Sequence, residues 1–147
     1  MKCIRTFSNF VIKSTVYILI VFTLVSSCFA ASADVYASRY ITSYDKYIWR
    51  NSDGSIGVEF DVTATGTMSQ IGASKILIQR KNGDKWETVK TYSSDSTPVL
   101  IAQNTYYHTA AVKYSGASIS YTYRAQILIY VENASGTDSR LVTTSSI

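Results

Sequence analysis

Few side chains in this sequence could do chemistry, and their placement narrows the options quickly. His108 is the only histidine, so no single chain can hold a metal on two imidazoles. In "TYYHTAAVKY" it alternates with Tyr106, Ala110 and Val112 as a strand residue would, and nothing nearby supplies a nucleophile and an orienting group. The cysteines, Cys3 and Cys28, both precede residue 34. No G-x-S-x-G elbow, phosphate-binding loop, dinucleotide fingerprint or H-E-x-x-H is present. The expectation is therefore a protein without catalytic activity and without a cofactor.

Acidic residues gather once, in "NSDGSIGVEFD", where Asn51, Asp53, Glu59 and Asp61 surround a glycine turn. Calcium takes oxygen ligands from such loops, but the ligand spacing of a helix-loop-helix calcium site is missing. Glu59 and Asp61 also fall on the outward side of a regular strand, so a solvated hairpin without metal is expected. Asn133-Ala134-Ser135 has the form of a glycosylation acceptor and reads more simply as a turn.

Aromatic side chains are the positive signal. Of 12 tyrosines only Tyr17 precedes residue 34, and Trp49 and Trp86 accompany the rest. Tyr and Trp offer large contact areas at small entropic cost and suit binding surfaces, although strand propensity alone favours them too. The candidate binding residues are Tyr40, Tyr44, Tyr47 and Trp49 on the first strand, with Tyr106, Tyr107 and Tyr130 further on.

The first 33 residues have the layout of a secretory signal peptide. Lys2, Arg5 and Lys13 are unopposed by acid, "VYILIVFTLV" follows, and small residues offer cuts after about Ala30 or Ala33. An apolar run of about ten residues is short of the roughly 18 a membrane span needs. Val25-Ser26-Ser27-Cys28 also resembles a bacterial lipobox, which would make Cys28 an acylated membrane anchor. The free secreted form is the expected one, and in it no disulfide can form. Without the leader, 11 basic residues face 10 acidic ones, so the pI of about 9.0 belongs largely to the leader and implies no nucleic-acid partner.

Residues 34–147 fit one domain, and the elements that must position the aromatics are strands. In "SIGVEFDVTATG" the residues Ile56, Val58, Phe60 and Val62 fall on one face, with Gly57, Glu59, Asp61 and Thr63 on the other. Asp53-Gly54 marks a hairpin before it, and "SKILIQRK", Asn82-Gly83 and "DKWETVKTY" form another, with a type I′ turn expected. "YTYRAQILIYVEN" is apolar on both faces, as a central strand is. About seven strands at this spacing predict an all-β, immunoglobulin-like antiparallel β-sandwich; a small β-barrel is the competing reading. Tyr121 and Tyr123 stand where sandwich folds fasten a corner to nearby backbone.

"GTMSQIGASKILIQRKNGDKWETVKTY", then "NTYYHTAAVKYSG", "YRAQI" and "DSR", resembles a family of small secreted Gram-positive bacterial proteins classed as a domain of unknown function. The resemblance covers about Ser38 to Thr144 and implies export and a single all-β domain, with no activity or site residues attached. Where that family carries a second glycine this chain has Ser118 or Ile119, so a different turn is expected there.

These readings lead to an exported, non-catalytic module that binds a polymer, glycan or protein at the cell envelope or outside the cell. A structural or self-associating extracellular protein built by sheet-edge pairing is the second class. A secreted toxin or antimicrobial ranks lowest, because no amphipathic cationic helix is present. Intact mass measured separately on medium and membranes tests the export reading. A species in the medium starting at Ala31 or Asp34 is expected, and an acylated species starting at Cys28 on membranes would replace free secretion by anchorage.

Overall fold

The structure, a computed structural model, describes residues 38–147. The expected leader, its expected cleavage positions and Cys28 lie outside the described residues. Eight strands run β1 (Ile41–Arg50), β2 (Ile56–Met68), β3 (Gln70–Asn82), β4 (Lys85–Ser93), β5 (Ile101–Ala102), β6 (Thr105–Tyr114), β7 (Tyr123–Asn133) and β8 (Gly136–Thr143). They form two antiparallel sheets, β1-β2-β6 and β4-β3-β7-β8, with two-residue β5 added beside the start of β3. The sheets do not close into a barrel. Lettered A to G in chain order, the seven long strands give sheets ABE and DCFG. This is the immunoglobulin constant arrangement with its fourth strand moved from beside E to beside C.

The expected alternation carries the packing. Ile56, Val58, Phe60 and Val62 of β2 are fully buried, and they face Ile71, Ile76 and Ile78 of β3 and Ile127 and Ile129 of β7, all equally buried. β2 lies between β1 and β6, and β7 between β3 and β8, so each sheet is centred on its most apolar strands. Only Ser69 separates β2 from β3, and there the chain bends from one sheet into the other.

Tyrosines close the rim of the sandwich. Tyr123, 1% exposed, accepts a hydrogen bond from the Ser118 amide at 3.1 Å, five residues upstream. Of the two residues expected at this corner, Tyr123 makes it. Tyr121 is exposed beneath the Arg80 guanidinium, 4.6 Å from its ring centroid. Tyr92 of β4 donates to the Lys113 carbonyl of β6 at 2.7 Å, joining the two sheets along one side. Along the other side Arg140 of β8 lies over the Tyr44 ring of β1 at 5.7 Å. Asp138 accepts from Ser38 Oγ at 2.6 Å and from the Tyr40 amide at 3.1 Å. Burial pushes the Asp138 carboxyl up, and these hydrogen bonds outweigh it, leaving the group below its ordinary value.

Both hairpins form, with turns that differ from expectation. Asn82 pairs with Lys85, so Gly83 and Asp84 are the central residues of the second turn. Gly83 has φ +57, and Asn104 is the only non-glycine with positive φ among the described residues. A type I′ turn over Asn82-Gly83 would need a left-handed asparagine; moving the turn one residue on leaves a single positive φ, placed on glycine. The loop near Ser118 also manages without a left-handed residue.

Gly72 is the tightest backbone approach. It has φ +150, and a Cβ there would overlap the Leu100 carbonyl oxygen. Gly66 has open space around it. Gly72→Ala should lower stability by about 2 kcal/mol or more, from overpacking plus an unfavourable φ, while Gly66→Ala stays near wild type. Urea unfolding of both variants tests this, and equal midpoints would contradict the close approach.

Candidate binding face

The β1–β2 hairpin decides which aromatic residues reach solvent. Its loop, Asn51 to Ser55, has five residues, with Arg50 pairing Ile56. The Asp53 carboxylate accepts from the Ser55 amide at 3.0 Å and from Ser55 Oγ at 2.5 Å. Its other oxygen meets Lys113 Nζ of β6 at 2.6 Å, tying the loop to the far strand of the sheet. Asn51 Nδ2 donates to Ser55 Oγ, and Arg50 Nη1 donates to the Gly54 carbonyl.

That register sets rows of residues across the outer face of β1-β2-β6. Trp49, Gly57 and Lys113 share one row, and Tyr47, Glu59 and Ala111 the next. Asp45, Asp61 and Thr109 follow, then Ser43, Thr63 and Tyr107. Trp49 lies flat over Gly57, whose missing side chain leaves room for the indole, and its Nε1 donates to Asn51 Oδ1 at 2.9 Å. Tyr47 is 51% exposed, Trp49 38% and Tyr107 45%.

Three carboxylates stand among these rings. Asp45 and Asp61 are directly opposite across the strand pair, an arrangement that destabilises a sheet. The two ion pairs among the described residues, Arg80–Glu87 and Lys113–Asp53, involve none of Asp45, Glu59 and Asp61. Asp45 first, then desolvation, then Asp61, Glu59 and Tyr107 push the Tyr47 hydroxyl above its ordinary value. The phenol therefore sits in the field of these carboxylates.

The seven aromatic candidates divide. Tyr47, Trp49 and Tyr107 meet on this face. Tyr44 points the other way on β1, and Tyr40, expected on that strand, lies just before it; both are half-buried against the core. Tyr106 lies on the opposite side of β6 from Tyr107 and is exposed at the strand's start. Tyr130 is on the outer face of the other sheet, half-buried, donating to Glu132 Oε2 at 2.6 Å. Asp45 was not among the expected residues; its equal distance with Asp61 from Asp53, the centre of a five-residue loop, is the signal that places it here.

The remaining chemistry candidates have structural contacts. His108 Nε2 lies 2.8 Å from the Val99 carbonyl, and its ring meets Phe60 edge-on at 5.9 Å. Asp53 is occupied by Ser55 and Lys113, apart from Glu59 and Asp61. Asn133 Oδ1 accepts from the Ser135 amide in the β7–β8 turn. No family model, curated protein or solved structure matches the chain, so the face itself carries the functional argument.

The Lys113 and Ser55 hydrogen bonds hold the Asp53 carboxyl well below the usual carboxylate range. A depressed folded value means that the unfolded chain binds the extra proton, so stability rises with pH in that window. The Asp53 contribution is complete above the unfolded value near 3.8 and fades below it. Urea midpoints measured from pH 6 down to pH 2 should fall more steeply for wild type than for Asp53→Asn. Parallel curves would show that the pair does not hold the loop.

Proposed function

We propose that the protein is an exported, non-catalytic β-sandwich module that binds a partner at the cell envelope or in the extracellular space through the outer face of β1-β2-β6. The observation that carries this reading is the joint exposure of Tyr47, Trp49 and Tyr107 around Asp45, Glu59 and Asp61 on one sheet face. Flat aromatic surface supplies contact area without much ordering, and carboxylates beside it accept hydrogen bonds from hydroxyl, amide or ammonium groups. Engagement of His108 by the Val99 carbonyl supports a non-catalytic role.

Edge-to-edge assembly is disfavoured at three of the four sheet edges; the fourth, β6, has no inward lysine or arginine. β1 places Lys46 opposite buried Phe60, β4 places Lys90 opposite buried Ile78, and β8 places Arg140 opposite buried Ile129. Inward-pointing charge on an edge strand resists pairing with another strand, since a new neighbour would bury it.

Adsorption to cell envelopes of the source organism tests the reading. Wild type should be enriched, and Tyr47→Ala/Tyr107→Ala should lose tenfold or more, given that anchor residues contribute about 2 kcal/mol each. Trp49 is left intact in that variant because it covers Gly57. Ile119→Ala, at an exposed loop residue away from the face, should bind as wild type. No enrichment, or equal loss in the loop variant, would remove the face from the mechanism.

A further inference from the structure

The two outer faces of the sandwich carry opposite charge. On β1-β2-β6 the unpaired groups are Asp45, Glu59 and Asp61; the one lysine there, Lys113, is engaged by Asp53. On the five-stranded sheet the register places Lys75 and Lys81 of β3 and Arg124 of β7 outward. Lys75 and Lys81 are exposed, and Arg124 lies over the Trp86 ring at 4.3 Å while its Nε donates to Gln79 Oε1 at 2.8 Å. The one acid on that face, Glu132, accepts the Tyr130 hydroxyl.

The apolar groups match as well. Lys75, Leu128 and Leu141 form one row across β3, β7 and β8, with Leu77 of β3 in the next row. Leu141 is 59% exposed. The acidic face offers Tyr47, Trp49 and Tyr107 as the complement. Each face thus pairs apolar contact area with three charges of a single sign.

We propose that the occupant of the acidic aromatic face is the basic face of a second copy of this chain, the two sheets stacking face to face. The proposal rests on the reading that β1-β2-β6 is a binding face and names its partner. Because the contact joins two different surfaces, it is heterologous, and repetition gives an open stack or a ring rather than a closed dimer. Sheets pack about 10 Å apart, so each copy would advance a stack by about 20 Å.

Area sets the strength. Three strands spaced about 4.8 Å apart, over about nine residues at 3.4 Å, give roughly 440 Å². Stable complexes bury about 800 Å² per partner. A single contact is therefore weak and depends on high local concentration. Charge contributes most at low ionic strength, where the Debye length is about 30 Å at 0.01 M against about 3 Å at 1 M.

Sedimentation velocity of the chain as its cell processes it, over a concentration series at about 0.01 M and about 1 M salt, is the test. Concentration-dependent assembly that weakens tenfold or more in high salt is expected. Asp45→Lys/Asp61→Lys, and separately Lys75→Glu/Lys81→Glu, should each stay monomeric alone, because each then carries like-signed faces. An equimolar mixture of the two should assemble again, which also shows that both variants are folded. A wild type that stays monomeric at every concentration in low salt, or variants that assemble like wild type, would overturn the stack. If the stack fails while Tyr47→Ala/Tyr107→Ala still loses envelope adsorption, the binding face stands with a different occupant; if adsorption is also unchanged, both readings fall.

Discussion

The odd length of the loop between β1 and β2 governs everything on the outer face. Directly opposed residues in an antiparallel pair share a face, and a slip of one residue moves a whole strand to the other side. With five residues from Asn51 to Ser55, Tyr47 stands opposite Glu59 and Trp49 opposite Gly57. A two-residue turn over Asp53-Gly54 would set Tyr47 against Phe60 and drive both aromatic rings toward the core. One carboxylate ties the loop to the far strand: Asp53 satisfies Ser55 on one side and Lys113 of β6 on the other, so strand register and sheet assembly meet at the same point.

The tyrosines divide by this geometry into two sets. Tyr44 and Tyr92 join elements distant in the sequence through a ring or a hydroxyl, Tyr123 fastens its own corner to the Ser118 amide, and the domain is closed at its rim without disulfides between described residues. Such residues suit a sandwich whose sheets are unequal in width, because a long amphipathic side chain spans the gap left at an open side while keeping its hydroxyl bonded. Tyr47 and Tyr107 touch no such partner and remain on the surface. Composition cannot distinguish the two sets; strand parity and register can.

Local patterns made much of the fold legible. The alternation of Ile56, Val58, Phe60 and Val62 reported a buried face directly, and the two-sided apolar run from Tyr123 to Val131 reported a central strand. The corner tyrosine was legible to within two positions, since Tyr121 and Tyr123 have the same parity and only the packing of Tyr123 beside Tyr114 separates them. The candidate face was legible in parts: Tyr47 and Trp49 alternate along one strand, and Glu59 and Asp61 along another. Joining them required the loop length, and adding Tyr107 required knowing that β6 pairs with β2 across more than 40 residues of chain. Tyr130, equal in composition to the others, lies on the other sheet for the same reason. Two-residue β5 left no periodic signal; it exists because Gly72 lets the backbone after Pro98 approach β3.

Charge on this domain is arranged by position more than by amount. Lysine or arginine directed inward on β1, β4 and β8 protects the exposed backbone of those edges, where pairing with another chain is otherwise favourable. No equivalent protection covers the β1-β2-β6 face, where Asp45 and Asp61 are opposed at a cost to the sheet. Three of the four edges are guarded by inward charge, while the β6 edge has no inward lysine or arginine. Contacts between charged side chains on the faces are screened by salt. Residues 34–147, nearly neutral in sum, thereby present two oppositely charged sheet faces separated across the sandwich.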